Sequence, residues 1–124
     1  MTKILVIEDN EDIRGLYKRI LERAGHEVIE APDGKAGTRL YRESPTDLVI
    51  TDIIMPEKEG IETIKELTND YPDIKIIAIS GGGSAMASSV CLTLAGKLGA
   101  RKTLSKPIQT SQLLDAVREV LAGA

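Results

Sequence analysis

Short apolar runs alternate with amphipathic stripes along this chain, and the alternation repeats five times. Residues 3–8 carry Ile4-Leu5-Val6-Ile7, a run continuous enough for a strand buried on both faces. Ile13, Leu16, Tyr17, Ile20 and Leu21 then recur at helical spacing, with Asn10 as N-cap and Gly25 as the stop. Val28-Ile29 marks a second, weaker strand. Pro32-Asp33-Gly34 reads as a turn, and a helix follows to about Arg42 despite Gly37. A third strand spans 47–52 and ends at Met55-Pro56, and Ile61, Ile64 and Leu67 stripe the helix after Gly60. Residues 74–79 form the fourth strand. Gly81-Gly82-Gly83 and a helix over about 85–98, striped by Met86, Val90, Leu94 and Leu98, come next. Residues 102–104 are a short fifth strand. A last helix from about Ser111 to Leu121, with Thr110 as N-cap, turns Leu113, Leu114, Val117, Val120 and Leu121 inward.

Five β/α units in this order predict an α/β fold, a parallel sheet covered by helices on both faces. Right-handed crossovers and one reversal of direction give a flavodoxin-like, doubly wound five-stranded sheet with strand order 2-1-3-4-5 and five helices. At 124 residues the whole chain, 1–124, reads as a single domain.

Composition narrows the function classes. A net charge of −3, with no Lys/Arg-rich run, argues against direct nucleic-acid binding. The only aromatics are Tyr17, Tyr41 and Tyr71, so base stacking on single strands lacks its usual side chains. Cys91 has no Cys/His neighbours at metal-ligand spacing and reads as a small core hydrophobe. The N-terminus runs straight into a strand with no signal peptide or membrane span, so a soluble cytoplasmic protein is expected. His26, the one histidine, follows Gly25 at a helix end and reads as a surface residue.

The chemistry lies where the strands end. The first runs into Glu8 and Asp9, the third into Asp52, the fourth into Ser80 and the fifth into Lys106-Pro107. In an open parallel sheet those carboxyl ends share one edge, with the switch point between the first and third strands. Three carboxylates, a hydroxyl and an amine there suit a divalent cation plus a phosphoryl group. Taken singly, each residue has a plainer reading. Asp9 could cap the first helix, Asp52 a turn, and Ser80 the fourth helix or the glycine loop, while Lys106 could be a solvated amine.

Together, Ile7-Glu8-Asp9-Asn10, Thr51-Asp52-Ile53-Ile54-Met55-Pro56 with Gly60, Ile79-Ser80 and Lys106-Pro107 resemble the receiver domain of bacterial two-component response regulators, over essentially the full length. The resemblance implies that Asp52 is the phosphoacceptor for a histidine kinase or histidine phosphotransfer protein. It implies Mg²⁺, with Mn²⁺ as a substitute, held by Asp9, Asp52 and the backbone carbonyl of Ile54, with Glu8 acting through water. Ser80 would hydrogen-bond the phosphoryl oxygen, and Lys106 would pair with the carboxylate and then the phosphoryl group. Lys106-Pro107 would carry the family's cis peptide, a geometry that proline makes accessible. Such a protein is a phosphoacceptor switch rather than an enzyme, at most autocatalytic in its own phosphorylation and dephosphorylation. It signals by binding a downstream protein or by relay.

Two features depart from the family. Thr103 stands where a Tyr or Phe is usual, so coupling through a swinging ring is not available. Ser80 to Lys106 spans 106 − 80 = 26 positions, a few more than usual, and the extra residues fall most naturally in Gly81-Gly82-Gly83-Ser84. That loop could be a lid ordered by phosphorylation or a tolerated insertion. Thr103 also keeps open a second class, a receiver-fold protein-binding module acting independently of phosphorylation. An enzyme of the haloacid-dehalogenase type would want an Asp two residues after the nucleophile, where this chain has Ile54. A flavodoxin would meet its flavin phosphate with Glu8, Asp9, Glu11 and Asp12, which fails on charge.

Overall fold

A computed structural model describes residues 2–53, 59–80, 93 and 95–123. The elements follow the expected alternation: β1 (Lys3–Ile7), α1 (Glu11–Arg23), β2 (Glu27–Ala31), α2 (Gly34–Glu43), β3 (Leu48–Asp52), α3 (Glu59–Asp70) and β4 (Ile76–Ser80). A fourth helix, α4, is described at 93 and 95–98, before β5 (Lys102–Ser105) and α5 (Thr110–Leu121). The strands form one parallel sheet in the order β2-β1-β3-β4-β5. Met55-Pro56, the Gly81–Ser84 loop, Met86, Val90, Cys91 and Leu94 lie outside the described residues.

Side chains alternate across the strands and sort into two cores. Leu5, Ile7, Val49, Ile76 and Ala78 pack with Tyr41 of α2, Ile64 and Leu67 of α3 and Ala95 of α4. Ile4, Val6, Leu48, Ile50, Ile77 and Ile79 pack on the other face with Tyr17 and Leu21 of α1 and Leu113, Ala116, Val117 and Val120 of α5. Every residue of β3 and β4 is buried, because helices cover both faces of the sheet centre. Tyr41 and Tyr71 meet edge to face, with ring centroids 4.9 Å apart and an interplanar angle of 72°.

The helix ends are held by side chains. Asn10 Oδ1 accepts from the Ile13 amide at 3.0 Å, and Asp33 Oδ1 from the Ala36 amide at 2.8 Å. Gly25, at φ 95°, ends α1 as expected. For α5 the N-cap is Gln109 rather than Thr110: its amide donates to Gln112 Oε1 at 2.9 Å, and Thr110 is already helical. Gly37 serves α2 rather than breaking it, since a Cβ there would run into the Ile7 side chain that the helix covers. β4 begins two residues later than the apolar run, because the Ile74 amide bonds the Tyr71 carbonyl at 3.0 Å, a turn rather than a ladder.

Candidate functional site

Parallel register brings the strand ends to one level. Ile7 pairs with Thr51, Asp52 with Ile79 and Ser80 with Ser105. The chain beyond stays in step: the Ile53 amide bonds the Ile79 carbonyl at 2.9 Å, and the Lys106 amide the Ser80 carbonyl at 2.7 Å. Glu8, Asp9, Asp52, Ser80 and Lys106 therefore gather along the carboxyl edge of the sheet.

Two of the acids are buried there, Glu8 at 1% exposure and Asp52 at 4%, whereas Asp9 faces solvent. One carboxylate oxygen from each of Glu8, Asp9 and Asp52 lies within 4.8 Å of the others. Lys106 bridges the buried pair, its Nζ donating to Glu8 Oε1 at 2.8 Å and Asp52 Oδ2 at 2.7 Å. Ser80 is fully buried at the end of β4. The Lys106–Pro107 peptide is cis. Ile54 lies outside the described residues, so its carbonyl has no described geometry.

Asn10, not Asp9, caps α1, which removes the capping explanation for Asp9. The Asn10 amide also donates to Glu8 Oε2 at 3.3 Å. Gly60, in the first turn of α3, is wedged against the end of β3, where a Cβ would overlap the Asp52 carbonyl and the Ile53 Cα. Only a residue without Cβ lets α3 start this close to Asp52. The helical pattern marks Arg14 only as a polar position, yet its Nη1 donates to the Glu8 carbonyl, six residues back, at 2.8 Å.

Burial pushes the Glu8 carboxyl up to about 7. Its hydrogen bond from Lys106 opposes the rise, and a hydrogen bond with Asp9 and the Asp52 charge add to it. For Lys106 burial pulls down, but the hydrogen bonds and charges of Asp52 and Glu8 outweigh it and raise the amine above its ordinary range. Between the ordinary value of 4.5 and about 7, folded Glu8 keeps a proton that the unfolded chain has released. Its contribution to stability therefore falls as pH rises through that window. Urea denaturation in the presence of a chelator should show Glu8→Gln gaining on wild type across this range. A difference independent of pH would contradict the assignment.

Three hard oxygen donors at this separation fit a hard divalent cation, and the amine beside them supplies a compact positive charge. The chain is similar to known proteins over nearly its full length. Residues 4–118 match the response regulator receiver domain family, and the chain belongs to it. Similar proteins include the chemotaxis protein CheY of Thermotoga maritima, 36% identical over 119 residues that cover 95% of this chain and 96% of that one. The response regulator receiver protein CpdR of Brucella abortus is 33% identical over 124 residues, 100% of both chains. The crystal structure of a response regulator receiver domain protein from Clostridium thermocellum has a TM-score of 0.88 at 32% identity, covering 98% of this chain and 95% of that one. Receiver domains are phosphoacceptor switches of two-component signalling, generally not enzymes, and bind Mg²⁺ at an acidic pocket. They interact with histidine kinases and downstream targets. Among the described residues, no helix is long and apolar enough to cross a membrane.

Proposed function

We propose that this chain, residues 1–124 as one receiver domain of the cytoplasm, accepts a phosphoryl group on Asp52 from a histidine of a partner kinase or phosphotransfer protein. The observation that carries the reading is the Asp52 carboxylate, buried at the switch point, bridged by Lys106 and flanked by Glu8 and Asp9. An Asp52 carboxylate oxygen attacks phosphorus, the phosphorus–nitrogen bond breaks, and the imidazole leaves with the electron pair. Asp9 and Asp52 would hold Mg²⁺ or Mn²⁺ directly, with the Ile54 carbonyl as a third ligand and Glu8 through water. A cation held there would supply neutralisation of the charge on the phosphoryl oxygens. Lys106 would also offset that charge, giving up its bond to the Asp52 carboxylate for one to the phosphoryl group. The Ser80 hydroxyl donates to a phosphoryl oxygen. Hydrolysis of the acyl phosphate by water returns Asp52 and inorganic phosphate. The phosphorylated form binds a downstream protein or passes the group on in a relay.

Thr103 favours a second reading, a protein-binding module that works without phosphorylation, because β5 presents no ring to couple the site to the surface. Acetyl phosphate separates the two. With Mg²⁺ the wild-type protein should gain one phosphoryl group by intact mass, and with a chelator none. Absence of label with acetyl phosphate and with any kinase would favour the binding module.

A further inference from the structure

We propose that Arg14 is a positioning residue for the acidic pair at the end of β1, fixing the peptide that joins Glu8 to Asp9 and so the angle between their carboxylates. This rests on the reading of Asp9 as a cation ligand.

Arg14 sits in the first turn of α1, where its own amide closes a helical bond to the Asn10 carbonyl at 2.9 Å. Its side chain, 15% exposed, folds back over the strand end, and Nη1 donates to the Glu8 carbonyl at 2.8 Å. The other polar groups of Glu8 are also engaged. Its amide donates to the Ala31 carbonyl at 3.1 Å, Oε1 accepts from Lys106 and Oε2 from the Asn10 amide. The Glu8 carbonyl is the handle that orients the next peptide plane, and Arg14 takes it with a charged donor. Asp9, the exposed member of the acidic trio, is carried by that plane. On its outer side the guanidinium reaches Glu30 of β2 only at 3.4 Å, and Lys18 reaches the same carboxylate at 3.5 Å. The short bond is thus the one to the site, and the ion pair is the looser one.

Charge and geometry make opposite predictions for this residue. A cation beside three carboxylates repels a dication, so if Arg14 acted through its charge alone, removing it would tighten Mg²⁺ binding. If it positions the peptide, removing it loosens Mg²⁺ binding, as loss of an outer partner of a metal ligand does.

The test compares wild type, Arg14→Met, Arg14→Lys and Glu30→Gln by calorimetric Mg²⁺ titration and by amide hydrogen exchange of the metal-free proteins. Arg14→Met should raise the Mg²⁺ dissociation constant about tenfold. It should also speed exchange at the Asp9 and Asn10 amides while those of α5 stay as in wild type. Arg14→Lys should recover part of both, and Glu30→Gln should match wild type in both. Affinity that is tighter or within twofold of wild type in Arg14→Met, with unchanged exchange, would overturn the proposal. Should Arg14→Met fail to fold, Arg14→Lys decides: wild-type affinity and exchange in that variant would show that charge suffices. A wild-type protein that binds no Mg²⁺ would defeat the parent reading, and the exchange data would still decide the role of Arg14.

Discussion

Asp52→Asn is expected to abolish phosphoryl incorporation, lowering the rate at least about a hundredfold, and yet to leave the domain as stable as wild type or more so. The first effect follows from chemistry: an amide oxygen is too poor a nucleophile to attack phosphorus. The second follows from the charge count at the sheet edge. Two buried carboxylates, Glu8 and Asp52, share the ammonium of Lys106 at 2.8 and 2.7 Å. Neutralising Asp52 relieves their mutual repulsion and leaves Lys106 its bond to Glu8. The Glu8 carboxyl should also titrate lower, since the Asp52 charge is among the causes that raise it. Intact mass after treatment with acetyl phosphate and Mg²⁺, thermal melts and NMR titration of Glu8 measure the three effects. Labelling of Asp52→Asn at a wild-type rate would move the acceptor elsewhere.

Lys106→Met should have the opposite balance. It removes the ammonium that bridges the buried Glu8 and Asp52 carboxylates, and breaking a buried ion pair by removing one partner costs about 3 kcal/mol or more. The lower end of the usual range applies, because the Lys106 side chain is 20% exposed and Glu8 can take up a proton. The loss should be greatest above pH 7 without divalent cation and shrink as pH falls and the carboxyls protonate. Added Mg²⁺ should restore part of it through binding to the folded state. The Mg²⁺ affinity itself should rise, since the amine no longer competes for the two carboxylates. Urea denaturation at low and high pH, with and without Mg²⁺, tests all of this. A penalty unchanged by pH and by Mg²⁺ would mean that the lysine stem, not its charge, is what the fold needs.

The order of elements and the sheet topology were readable because the three central strands, β1, β3 and β4, are nearly continuous apolar runs separated by helical stripes, while the edge strands β2 and β5 carry only short apolar cores between polar residues. Boundaries moved where a local bond overrode the pattern. Ile74 is apolar and buried but closes a turn with Tyr71, and Gln109 rather than Thr110 opens α5. The acidic edge was legible for a topological reason. In a parallel sheet, residues that follow apolar runs must converge, whatever their distance in sequence. What a sequence does not display is which side chains reach across. Lys106 spanning both Glu8 and Asp52, Arg14 bonding a carbonyl six residues back, and Gly60 abutting the Asp52 backbone all depend on three-dimensional spacing that no helical or strand period encodes.

With no Trp and no Phe, the near-ultraviolet optical activity of this chain comes from three tyrosines. Tyr41 and Tyr71, in edge-to-face contact, couple their transition dipoles and report jointly on the α2–α3 side. Tyr17 is buried on the opposite side of the sheet with residues of α1 and α5, and the charges of Lys106, Glu8 and Asp52 act on it. A change of charge at the acidic edge should therefore shift the spectrum of one chromophore, whereas loosening of the far side should extinguish the signal of the coupled pair. Each face of the sheet carries its own optical probe.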